Sequence, residues 1–329
     1  MRQTAFETRY GAEILRFERW LDERGKPRRR RSPAGPSDAL ADQDLPAAYR
    51  RICQLLALAR DRQYSPDLVD RLNQLVLRGH HLLYGASGGR PARLLSFLAA
   101  DFPRLVREEW RLLAAAALLF FGPLLALIAA LQLHPDFIYY LVEPRQLAGF
   151  QEMYDPANPR LGMRQADSNV MMFAFYIWNN VKIGFQTFAT GLAFGLGTVF
   201  YLVFNGLTIG AVAGYLTAIG YGKTFWSFVS GHSAFELTAI VLSGVAGLKL
   251  GGAVIAPGAR SRKAALVEAA KPAVRIMYGA ALLFLGAAFI EGFWSPLTIF
   301  PATTKYAVGG ILWAAVAAYF AIGGRGRGA

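Results

Sequence analysis

Residues 168–252 constrain this chain more than any other stretch. The run SNVMMFAFYIWNNVKIGFQTFATGLAFGLG continues through TVFYLVFNGLTIGAVAGYL and closes with GHSAFELTAIVLSGVAGLKLGG. It is long enough for three membrane passes at about 20 residues each. It is rich in glycine, yet it also holds Asn179, Asn180, Lys182, Asn205, His232 and Glu236. Hydrocarbon penalises each such group by a few kcal/mol unless it finds a partner, so they should face protein or water. Function is expected here.

The rest of the composition fits a membrane chain with a polar front end. Of 329 residues, 54% are hydrophobic and only 17% charged. The first 111 residues hold 21 of the 35 basic and 14 of the 22 acidic side chains. A net charge of +13 would suit nucleic acid in a soluble protein. In a membrane protein it marks the cytoplasmic side and attraction to anionic lipid, so nucleic acid is not an expected partner. Cys53 is the lone cysteine, which excludes an internal disulfide and a cysteine metal site. The first residues, MRQTAFETRYGAEILRFERW, lack the apolar core of a signal peptide, so the N-terminus is expected in the cytoplasm.

Taken in order, residues 1–24 read as an amphipathic helix with Phe6, Tyr10, Ile14, Phe17 and Leu21 at steps of three or four. Such a stripe packs on neighbouring helices or lies on a membrane surface. Residues 25–46, with the basic run Arg28 to Arg31, read as a flexible linker because proline, glycine and charge leave little apolar area to offset ordering. Residues 47–111 read as cytoplasmic or interfacial helices. They comprise a helical pair (47–63 and 66–85, the second started by Ser65-Pro66 with Ser as cap), a glycine turn at 85–89, and a segment at 92–111 broken before Pro103. His80 and His81 are adjacent and point to different faces, which does not suit a metal site.

Residues 112–329 then carry six apolar stretches, near 112–132, 169–188, 190–216, 232–256, 275–294 and 306–323. The fold class expected is all-α, a polytopic helical membrane protein of about six transmembrane helices. Arg260, Arg262, Lys263 and Lys271 in loop 257–272, with Arg325 and Arg327 in the tail, place that loop and both termini in the cytoplasm. Loop 133–167 then lies outside, with a short helix expected from about Pro135 to Met153 as a lid or binding loop. Residues 222–231, too short to span, could dip into the membrane and return.

Asn179, Lys182 and Gln186 share a helix face. Asn205-Gly206 could break its helix and free backbone carbonyls, as at transporter sites. Against that, Gly206, Gly210 and Gly214 recur every four residues, the spacing for close helix approach, and Gly247 belongs with such packing positions. His232 and Glu236 lie one turn apart, with Ser243 further along the same face. They could bind each other, relay a proton or hold an ion. Lacking a third ligand, a metal site is not expected, nor is a catalytic group. Glu291 and Lys249 near span ends could simply reach the interface. A Lys182–Glu236 pair is one way to satisfy two buried charges.

The core NNVKIGFQTFATGLAFGLGTVFYLVFNGLTIGAVAGYL followed by GHSAFELTAIVLSGVAGLKLG resembles the stage II sporulation protein M family. FPRLVREEW and the acidic loop fit its longer bacterial members. The resemblance implies a non-enzymatic, cofactor-free protein of the bacterial inner membrane that organises an envelope or cell-wall-remodelling complex. It also implies other envelope membrane proteins and, by analogy within the family, a MoxR-type ATPase as partners, and allows a homo-oligomer. The alternative is a small-solute or ion transporter or channel built on a broken helix and the cluster Asn179, Lys182, Asn205, His232 and Glu236.

Overall fold

A computed structural model describes residues 2–25, 44–83, 90–157 and 166–325. The linker expected at 25–46 falls mostly outside the described residues, as do the glycine turn and the far end of loop 133–167. The chain divides into two units, Met1–Arg93 and Leu94–Ala329. No strand occurs among the described residues.

The first unit is a three-helix bundle of α1 (Gln3–Gly25), α2 (Leu45–Asp61) and α3 (Pro66–Leu83). Its core joins Phe6, Ile14, Phe17 and Leu21 of α1 to Ile52, Leu55 and Leu56 of α2 and Leu72 and Leu75 of α3. The apolar stripe of α1 is thus used inside protein rather than on a lipid surface. Burying each of these side chains stabilises the unit by about 1.5–3 kcal/mol. The Ser65 hydroxyl, expected to cap α3, accepts a hydrogen bond from Gln3 Nε2, while Gln3 Oε1 accepts from the Ser65 amide, both at 2.9 Å. Arg71–Glu18 (2.5 Å) and Arg78–Asp22 pairs cross the outer surface; exposed pairs of this kind contribute little.

The second unit is a helical bundle. After α4 (Arg90–Ser96), a π turn at Phe97–Asp101 leads into α5 (Phe102–Glu108) and α6 (Trp110–Leu133). Loop 133–157 folds as a 3-10 turn (Pro135–Tyr140) and α7 (Pro144–Tyr154) rather than one helix, because proline at 144 favours a fresh helix start. There follow α8 (Ala166–Ala189), α9 (Leu196–Ala218), α10 (Gly222–Ile255), α11 (Arg262–Phe289, ending in a π turn at Ile290–Trp294) and α12 (Ala302–Ile322).

Five helices, α6 and α9 to α12, are long and apolar enough to cross a membrane. The sixth predicted span, α8, has the length at 24 residues, but Asn179, Asn180, Lys182 and Gln186 reduce its hydropathy. It packs on α10 and α11. Large apolar side chains such as Leu118, Phe175, Trp178, Phe185, Phe200 and Ile311 remain exposed along these helices, as lipid-facing residues do.

Lipid tails are as apolar as leucine, so close packing rather than water exclusion must hold such helices together. Glycine makes that possible. In α9, an added Cβ at Gly206 or Gly210 would strike the carbonyl oxygens of Phe120 or Leu124 in α6, and one at Gly214 would press on Ile128 and Leu131. The Asn205-Gly206 break is not found: α9 is continuous, and Asn205 Nδ2 donates to the Tyr201 carbonyl at 2.6 Å. Between α8 and α9 the chain turns through Phe194 (φ 57°) and Gly195 (φ 77°). The second position needs glycine both for that backbone and because the Gly251 backbone of α10 lies against it.

Residues 222–231 are not re-entrant. They form the first turns of the 34-residue α10. The hydroxyls of Ser227, Ser230 and Ser233 each donate to the carbonyl three residues back, at 3.1–3.3 Å, so these residues remain within one helix.

At the other end, α5 is clasped to α12. Arg107 donates to the Phe320 and Gly323 carbonyls at 2.7 Å each, satisfying orphan acceptors at the helix C-terminus. Tyr319 donates to the Leu98 carbonyl at 2.6 Å. Lys249, expected to reach an interface, pairs with Glu109. Arg107→Gln is expected to cost about 1.5–3 kcal/mol, the usual worth of a hydrogen bond to a charged group. Thermal unfolding in nanodiscs would measure it, and an unchanged midpoint would count against the clasp.

Candidate functional site

A cleft of about 610 Å³ opens in the second unit among α6, α7, α9, α10 and α12, with Asn179 of α8 and Glu291 of α11 also at its wall. Its apolar lining includes Ile209 and Val212 of α9, Phe225 and Phe228 of α10, and Trp313 of α12. One end is covered by α7. Tyr154 packs edge-on against Phe225 and Phe228, its carbonyl accepts from Thr224 at 2.5 Å, and Gln151 donates to the Tyr215 hydroxyl at 2.8 Å. These contacts pin α7 to the bundle.

His232, Glu236 and Glu291 converge in the cleft, with one ligand atom from each within 4.8 Å of the other two. His232 is 4% exposed. Its Nδ1 lies 3.1 Å from Ser295 Oγ, and its ring meets Phe228 edge-on at 5.6 Å. These contacts turn Nε2 towards Glu236, whose Oε2 is 3.7 Å away, longer than a hydrogen bond. Ser295 is itself held by Lys305, whose Nζ donates to the Ser295 carbonyl at 2.7 Å and sits 5.9 Å from the Trp294 ring centroid. Lys305 is 6% exposed.

The sequence cluster therefore separates. His232, Glu236 and Asn179 reach the cleft. Asn205 is buried on α9 but does not line it. Ser243 donates to its own helix, at the Ala239 carbonyl. Lys182 is exposed and forms no ion pair with Glu236, so the proposed buried pair is wrong. The reason is the rotation of α8. Its buried stripe is Tyr176, Asn180, Gly184 and Thr187, one face round from the Asn179–Lys182–Gln186 row. Glu291 was read as an interface residue, and the π turn instead brings it to His232. Lys305 was missed altogether, because nothing local distinguishes a lysine at a helix start from a snorkelling one. Of the packing glycines, Gly247 meets the end of α8, where an added Cβ would stand 2.8 Å from the Thr187 carbonyl oxygen.

Fold and site together define an all-α, multi-pass membrane protein with a polar cluster in its helical bundle. The model of the stage II sporulation protein M family matches residues 114–296, and the chain belongs to that family. A second model, described as a domain of unknown function (DUF8413), matches residues 4–85, the three-helix unit. An uncharacterized protein of Methanocaldococcus jannaschii is 33% identical over 79 residues, which is 24% of this chain and 44% of that relative. The match thus spans less than half the relative's length. No solved structure matches.

Proposed function

We propose that this chain is a non-enzymatic protein of the bacterial inner membrane that organises an envelope complex. The observation that carries this reading is backbone-on-backbone packing. Gly191 rests on Gly247, Gly195 on Gly251, and Gly206 on the Phe120 carbonyl. Helices locked in this way have little room to slide, which suits a fixed platform better than a moving carrier. With α8 counted as a sixth crossing, both termini lie in the cytoplasm. Loop 133–167 then faces other envelope membrane proteins, while the basic N-terminal region meets anionic lipid and a partner such as a MoxR-type ATPase. No nucleic acid is involved.

One observation favours a second reading, a small-solute or ion transporter. The cleft carries ionisable groups into the bundle, where bilayer proteins keep them for transport. Photo-crosslinkers at the exposed Tyr140 and Met153 separate the two. The platform reading expects defined adducts with envelope proteins, unchanged by Glu236→Gln. Absence of adducts, with a cation flux into proteoliposomes that Glu236→Gln abolishes, would favour the transporter.

A further inference from the structure

We infer that His232, Glu236 and Glu291 form a binding site for a divalent transition-metal cation at the wall of the cleft. This goes beyond the platform reading and does not depend on it.

The donor set comes first. One imidazole and two carboxylates match the ligands that hold Zn²⁺ and similar borderline ions, at about 2.0–2.2 Å from the metal. Donors around one such ion stand no more than about twice that distance apart. The three groups lie within 4.8 Å of one another, a spacing that a small inward movement of flexible carboxylates would close. Three protein ligands leave a further position, and here it faces the cleft, as in sites that keep an open coordination position.

Charge is the second argument. Two carboxylates at this separation, within a membrane-spanning bundle, repel strongly where the local dielectric is low. A divalent cation bound by two carboxylates and a neutral imidazole makes the group neutral overall. Lys305 Nζ donates to the Ser295 carbonyl and so holds the residue whose hydroxyl meets His232.

Orientation is the third. A histidine that ligates through one ring nitrogen usually has the other fixed by a hydrogen bond. His232 Nδ1 is held by Ser295 Oγ at 3.1 Å, leaving Nε2 towards Glu236. Ser295 follows directly on the π turn that places Glu291, so one local irregularity sets both a ligand and the group that aims another. Such inserted turns are frequent at functional sites.

The test uses the full chain in nanodiscs, stripped with chelator and titrated separately with Zn²⁺ and Mn²⁺. Bound metal is measured after desalting, and thermal unfolding is followed in parallel. Wild type should retain a single ion and unfold at a higher temperature with metal. Glu236→Gln and Glu291→Gln should each bind at least about 10-fold more weakly, the smallest loss usual even for groups that only orient a ligand. Ser295→Ala should weaken binding by about 10- to 100-fold through misaimed His232. The exposed Glu108→Gln should bind as wild type. Equal retention by all variants, or none by wild type, overturns the site. A proton shared between the two carboxylates would account for the second outcome. Should the variants fail to fold, Zn X-ray absorption of wild type decides: an imidazole in the shell supports the site, and an all-oxygen shell overturns it.

Discussion

Phe102→Ala is expected to lower the stability of the second unit by about 3–5 kcal/mol, the usual range for emptying a large aromatic site. Phe102 is 1% exposed and sits among the rings of Phe97, Tyr319 and Phe320, with centroids 5.5–6.3 Å apart. Its ring also fills the space that a side chain at position 279 would occupy. That gives the prediction a second arm. Gly279→Val alone should also destabilise, since the valine would collide with the ring. Combined with Phe102→Ala, the valine should fill part of the void, and the double variant should be more stable than the two single losses sum to by about 0.5–3 kcal/mol. Chemical unfolding of all four proteins would show it. Strict additivity would mean that the two positions do not share the space.

Gly247→Val should be the more damaging change. At this position α10 runs against the end of α8, and a new Cβ would meet the Thr198 hydroxyl and stand 2.8 and 3.1 Å from the Thr187 and Phe188 carbonyl oxygens. These are backbone atoms already engaged, since Thr198 Oγ1 donates to the Thr187 carbonyl at 2.7 Å. The Thr198 hydroxyl could turn away only by giving up that bond, and the two carbonyls cannot move aside. Gly247→Ala should cost about 1–3 kcal/mol, the usual range for overpacking, and the valine more, with folded protein largely lost from detergent extracts. Gly252→Ala, five residues on and with open space at its Cβ, should behave like wild type in the same size-exclusion assay.

The sequence made the helices legible because apolar length is a direct consequence of bilayer thickness. It also pointed to glycine packing in α9, since a four-residue spacing puts Gly206, Gly210 and Gly214 on one face. What it hid depended on rotation and on distant partners. Asn179 and Asn180 are adjacent, so composition does not reveal which of two faces α8 buries, and the choice decides whether Lys182 enters the bundle. The first turns of α10 read as a separate segment too short to span, because serine hydroxyls that bond their own helix carbonyls read like hydroxyls in a loop. Glu291 is 55 positions from Glu236 in the sequence. Its place beside His232 follows from a single inserted turn, for which IEGFW carries no signature.

The clasp between Arg107 and the end of α12 joins segments more than 200 residues apart. A ribosome makes Arg107 first and the α12 carbonyls more than 200 residues later. Until α12 is made, the guanidinium of Arg107 has neither the Phe320 nor the Gly323 carbonyl to meet. Closure of this side of the bundle therefore waits for α12, and a chain stopped before that helix would leave Arg107 without the two carbonyls it holds.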